Sequence, residues 1–272
     1  MTLSERNSVF KAGILIPVTA LGCLVIASFL IIPSYPAVFD ETTPRARGTL
    51  AGFPPDPYAA FASIISAALY ALAGAVAIYR CFEKTQSPEI LYIAFFVLSF
   101  ALEGARITAA LTVKYELPGA YLVMGSRIVF FGRYFGMFSL FAASVYAAGL
   151  KAQKQSHILF ILALVTAVIA LGVPVDGAVW DTSLCMKSGY TAMFSTMEIG
   201  IAGITLLSFF IAAYSRGLKE YRAIALGAAM ALAGRALLFS ADTWITPFPA
   251  LALLITGTWF ICARLHQVYL WF

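Results

Sequence analysis

Gly125-Ser-Arg127-Ile-Val-Phe-Phe-Gly132-Arg133-Tyr-Phe-Gly136-Met-Phe-Ser-Leu-Phe141 is the stretch on which the reading of this chain turns. It sits in an apolar run from Gly119 to Leu150, bounded by Pro118 and Lys151, yet it carries two arginines. As a helix that run is about 48 Å long. This exceeds the hydrocarbon core of a bilayer, so the helix must tilt, kink or protrude. Arginine at bilayer depth is costly and needs a partner, a ligand or water. The stretch therefore predicts a membrane-spanning helix and asks what meets its arginines. Gly132 and Gly136 form a Gly-xxx-Gly step that lets another helix approach closely. Phe130, Phe131, Tyr134, Phe135, Phe138 and Phe141 surround the helix with aromatic rings.

Outward from this helix the same pattern repeats. Of 272 residues, 61% are hydrophobic and 11% charged, where a soluble domain has about a quarter charged. Uncharged runs of about 20 residues or more recur. The fold class is all-α: a single polytopic membrane domain over 1–272 with eight spans. The expected spans are Ala12–Ile32, Tyr58–Tyr79, Ile90–Val113, Gly119–Leu150, Ile158–Val175, Ser188–Tyr214, Ala223–Ser240 and Ile245–Ala263. Removal of the first as a signal segment would leave seven. Its uncharged length of 21 residues favours an uncleaved helix. The loop from Ser34 to Pro57 is the longest, and long loops tend to carry function. Tyr58–Ser63 echoes Tyr190–Ser195, and Ala101–Arg106 echoes Ala231–Arg235, which suggests a four-plus-four repeat of 1–150 and 151–272.

Lys and Arg outside the spans divide ten to four in favour of the side that holds both termini. The positive-inside rule then places the termini in the cytoplasm, in a plasma or inner membrane. The net charge of +5 is thus a topology signal, and no nucleic-acid partner is expected. Cys23, Cys81, Cys185 and Cys262 are scattered without metal-ligand spacing. Asp176 and Asp181 in the loop before the sixth span read as solvated acids rather than cation ligands.

Six charges remain inside the spans: Glu103 and Arg106 on the third, Arg127 and Arg133 on the fourth, Glu198 on the sixth, Arg235 on the seventh. They fall in the middle and outer half of the membrane and sum to +2. Glu103 and Arg106, three apart, share a helix face. Arg127 and Arg133, six apart, diverge by about 120° and face different neighbours. Arginine binds carboxylate and phosphate bidentately. The excess positive charge therefore motivates a ligand set of Arg133, Arg235, Arg127 and Arg106 for an anionic small molecule or lipid headgroup, with Glu103 and Glu198 orienting the arginines or relaying protons. The same charges could simply hold four helices together.

Several chemistries are excluded. No lysine lies within the expected spans to form a Schiff base, and no aspartate pair lies there for an aspartyl protease. His157 and His266 stand at span ends, which argues against a buried Ser–His hydrolase or bis-histidine haem. No nucleophile–base pair can be named, so an enzyme is the weaker expectation, and the sequence points to no cofactor. The expected functions are binding or transport of an anion, a sensor that meets a membrane or cytoplasmic partner through Arg216, Lys219 and Arg222, and a structural subunit of a larger complex.

Overall fold

A computed structural model describes residues 3–31, 53, 55–83, 85, 87–150, 155–180 and 183–270. Among them are eight helices long and apolar enough to cross a membrane. They are α1 (Leu3–Ile31), α2 (Pro57–Phe82), α3 (Pro88–Lys114), α4 (Gly119–Ala147), α5 (Gln155–Gly172), α6 (Thr191–Ser215), α7 (Glu220–Phe239) and α8 (Pro247–Leu270). The chain is an integral membrane protein. Most of the Ser34–Pro57 loop, and Asp181, lie outside the described residues.

The helix ends differ from expectation where polar residues continue a helix beyond its apolar run. α1 begins at Leu3 rather than Ala12, so Arg6 and Lys11 belong to it. Arg6 is buried, and its guanidinium donates to the carbonyls of Phe82 (2.7 Å), Glu83 (3.1 Å) and Thr85. The Phe82 and Glu83 carbonyls lie at the C-terminal end of α2, where helix carbonyls lack intrahelical partners, and Thr85 lies just beyond it. α2 opens on Asp56, whose carboxylate accepts from the Tyr58 amide (2.9 Å) and from Trp244 Nε1 (2.6 Å). The Asp56 amide donates to the Asp242 carbonyl at 2.7 Å, which ties the α7–α8 turn to the start of α2.

α3 is the central pillar: 83% of its apolar window is buried, against 17% for α5. Its middle, Phe100–Arg106, is 3-10 helix. At each edge of that segment a hydroxyl bonds back into the helix, Ser99 Oγ to Phe96 O and Thr108 Oγ1 to Ala105 O, both 2.7 Å. Such back-bonding competes with the regular ladder. α4 packs on this segment through glycines. A Cβ on Gly132 would lie 2.8 Å from Leu102 Cβ and 3.1 Å from Ser99 O, and one on Gly136 would meet Ser99 Oγ. Gly125 does the same against Thr108. The close-packing stripe is thus longer than the Gly-xxx-Gly step alone.

Between α5 and α6 the chain forms an antiparallel hairpin, β1 (Val175–Trp180) with β2 (Met186–Ser188), where the sequence reads only as loop. Ser183, Leu184, Cys185 and Met186 are buried, and Leu184 and Met186 pack beside Ala60 and Leu122. The hairpin therefore closes one end of the bundle. The opposite end carries the start of α1 and the end of α8.

Candidate functional site: a buried arginine–glutamate cluster

The 3-10 turn places the central charges. In that helix residues three apart eclipse. Glu103 and Arg106 accordingly project together, with Arg106 Nη1 3.4 Å from Glu103 Oε2 and both side chains 1% exposed. The glycine-lined approach of α4 brings Arg133 to the same carboxylate. Its Nε and Nη2 donate to the two Glu103 oxygens at 2.8 and 2.9 Å, a bidentate fork. Arg106 Nε and Nη2 both donate to the Ser183 carbonyl, the Nε bond being 2.6 Å, and Nη1 reaches Ser63 Oγ at 3.4 Å. The hairpin's backbone thus caps the cluster from its end of the bundle.

Arg235 completes the arrangement from α7. Its Nη2 donates to the Arg133 carbonyl at 3.0 Å and reaches Glu198 Oε1 at 3.5 Å. Arg235 is 5% exposed and Glu198 36%, so this second pair sits at the edge of the packed interior. The Cζ atoms of Arg133 and Arg235 lie 4.7 and 4.8 Å from the centroid of Phe239, which both guanidiniums share. An aromatic ring attracts cations at this distance. Arg133 Nη1 and Arg235 Nε and Nη1 donate to nothing among the described residues.

Five of the six intramembrane charges therefore meet in one cluster: Glu103, Arg106, Arg133, Glu198 and Arg235. Arg127 stands apart. It makes no hydrogen bond or ion pair among the described residues, its Nε is buried, and it lines a separate groove between α4 and α5.

Sequence reasoning missed three participants. The Ser183 carbonyl is backbone and has no sequence signature. Ser63 is an ordinary small polar residue in an apolar span. Phe239 could have been found, because it lies four residues after Arg235 on the same helix face. A further buried carboxylate stands at a span end, where the sequence does not mark it as inward-facing. Glu89, at the start of α3, is 3% exposed, accepts from Tyr221 Oη at 3.2 Å and lies 3.9 Å from Arg216 Nη1. Among the described residues no group of three or more His, Cys, Asp or Glu side chains is placed to hold a metal ion.

Neither models of known protein families nor curated proteins match this chain.

Proposed function

We propose that this integral membrane protein binds an anionic group, a carboxylate or phosphate, at Arg133 and Arg235. The observation that supports it is the pair of guanidiniums over one ring, with donors left over after Glu103 and Glu198 are engaged. Counting Glu103, Arg106, Arg133, Glu198 and Arg235, the cluster keeps one positive charge more than negative. An anion would balance it and accept from Arg133 Nη1 and Arg235 Nη1. Glu103 fixes the Arg133 plane, and Arg106, held by Ser183, fixes Glu103. Entry is from the Glu198 side, where the cluster is least covered. Transport of the same anion is the stronger form of this reading. It requires a second opening past Phe96, Phe100 and Phe239, whose rings seal the bundle on the Phe96 side of the cluster.

The test is thermal unfolding of the detergent-solubilised protein against a panel of carboxylates and phosphates. A ligand at about 100 times its Kd stabilises by about 2.7 kcal/mol, which raises the unfolding midpoint. Arg235→Gln should fold and lose that rise. Arg133→Ala is the poorer variant, because it strips Glu103 of its bidentate partner and unfolding would mask any binding defect. A panel that leaves the wild type unmoved would sink the proposal.

One observation favours a second reading, a structural network. Glu103 is fully enclosed and both of its oxygens are used within the protein. In that case no anion shifts the midpoint, and Arg235→Gln lowers it without any ligand present.

A further inference from the structure

Arg127 is a cation in the membrane without a protein counter-ion among the described residues. It lies in a groove of about 810 Å³ between α4 and α5 whose other lining side chains are all apolar, among them Leu102, Val123, Phe131, Ala167 and Leu171. Met124, Ile128 and Leu171 on its rim are exposed, so the groove opens sideways to the bilayer.

Geometry sets the polarity of this groove. Arg127 is eight residues from Gly119, where α4 starts at the hairpin end, hence about 12 Å down the helix. Side chains lean towards the N-terminus of their helix, so Arg127 leans towards that membrane surface. Leu102 and Phe131 lie deeper. Ala120, Val123 and Met124 line the groove on the surface side of Arg127, and Phe131 and Leu102 continue the apolar wall below it.

We propose that this groove holds one anionic phospholipid of the hairpin-side leaflet, its phosphate on Arg127 and an acyl chain along Phe131, Leu102 and Leu171. The single charge, its lean towards the surface and the lateral opening to the bilayer match an amphiphile rather than a soluble anion. The site uses a different guanidinium and a different side of α4 from the Arg133–Arg235 pair, so it stands whether or not that pair binds an anion. A second groove, between α2 and α8, has no charged lining side chain and selects no headgroup.

The experiment is native mass spectrometry of the protein equilibrated in micelles with equal amounts of phosphatidylglycerol and phosphatidylcholine of matched chains. The wild type should retain a single phosphatidylglycerol with about tenfold preference, as one charge-assisted contact provides. Arg127→Gln should abolish the preference and Arg127→Lys should keep most of it. Ala167→Phe, which fills the groove and leaves Arg127 in place, should lower retention of both lipids; this variant carries the test if Arg127→Gln does not fold. Equal retention of the two lipids by the wild type would mean that Arg127 merely reaches bulk phosphates, and would overturn the proposal. So would displacement of the bound lipid by inorganic phosphate, which would mark a soluble-anion site. Loss of the preference in Arg235→Gln with Arg127→Gln unaffected would assign the lipid to the central cluster and overturn it as well.

Discussion

α3 buries a carboxylate at two levels, and the two are neutralised by different means. Glu103, near the middle, is gripped by the Arg133 fork and by Arg106, inside a region sealed by the hairpin. Glu89, at the start of the helix, is met by the Tyr221 hydroxyl, at 3.2 and 3.4 Å from its two oxygens, by the Tyr269 hydroxyl, and only distantly by Arg216. Arg216 is 35% exposed and also donates to the Tyr146 carbonyl and to Tyr221 Oη, both at 3.1 Å. The difference follows from access to water. Mid-membrane, out of reach of bulk water, the Glu103 carboxylate is held by guanidiniums of the protein. At a span end, neutral hydroxyls and a partly hydrated arginine are enough.

The comparison breaks most readily at Arg133. Arg133→Ala leaves Glu103 enclosed with only the longer Arg106 contact, and removal of one partner of a buried pair costs about 3–5 kcal/mol. Titration of the folded protein with a denaturing detergent should show that loss, and Glu103→Ala on the same background should restore part of it. A single variant within about 1 kcal/mol of wild type would mean that water reaches Glu103 after all, and the contrast between the two levels would vanish.

A smaller effect is expected from the packing that permits the fork. Gly132→Ala forces a methyl against Leu102 Cβ and the Ser99 carbonyl, neither of which can rotate away. Overpacking of this kind costs about 1–3 kcal/mol and pushes α3 and α4 apart at the level of Glu103. Gly136→Ala meets a Ser99 hydroxyl that can turn aside, so its cost should be lower. If the two variants melt together, the glycine stripe does not set the Glu103–Arg133 distance.

The two levels also differ in how far they can be read from sequence. Lipid demands about 20 apolar residues per span, so the eight helices and the charges inside them stand out in the residues alone. Glu103, Arg106, Arg133, Glu198 and Arg235 are visible because an ionisable residue in such a run has no solvated explanation. Glu89 and Arg6 are invisible for the opposite reason: charges at span ends are common, and the sequence does not say which of them turn inward. The 3-10 turn is equally hidden. It coincides with back-bonding by Ser99 and Thr108 and with the close approach of α4, and those hydroxyls look like any other in a helix. The separation of Arg127 from Arg133 is legible too, because six residues of helix set the two about 120° apart.

The smallest expected effect is at Glu89, and it sharpens the contrast most directly. Glu89→Gln keeps a carbonyl oxygen that can accept from Tyr221 Oη and gives up the charge facing Arg216. A pair this long, with its arginine a third exposed, contributes under about 1 kcal/mol. A double-mutant cycle of Glu89→Gln with Arg216→Gln should therefore return a coupling near zero, while the cycle of Glu103→Ala with Arg133→Ala returns several kcal/mol. Equal couplings would show that depth in the membrane does not decide how these carboxylates are neutralised. If the Glu89 cycle is weak but Tyr221→Phe destabilises strongly, the hydroxyl rather than the arginine carries the partnership at this end of α3, as its 3.2 Å contact implies.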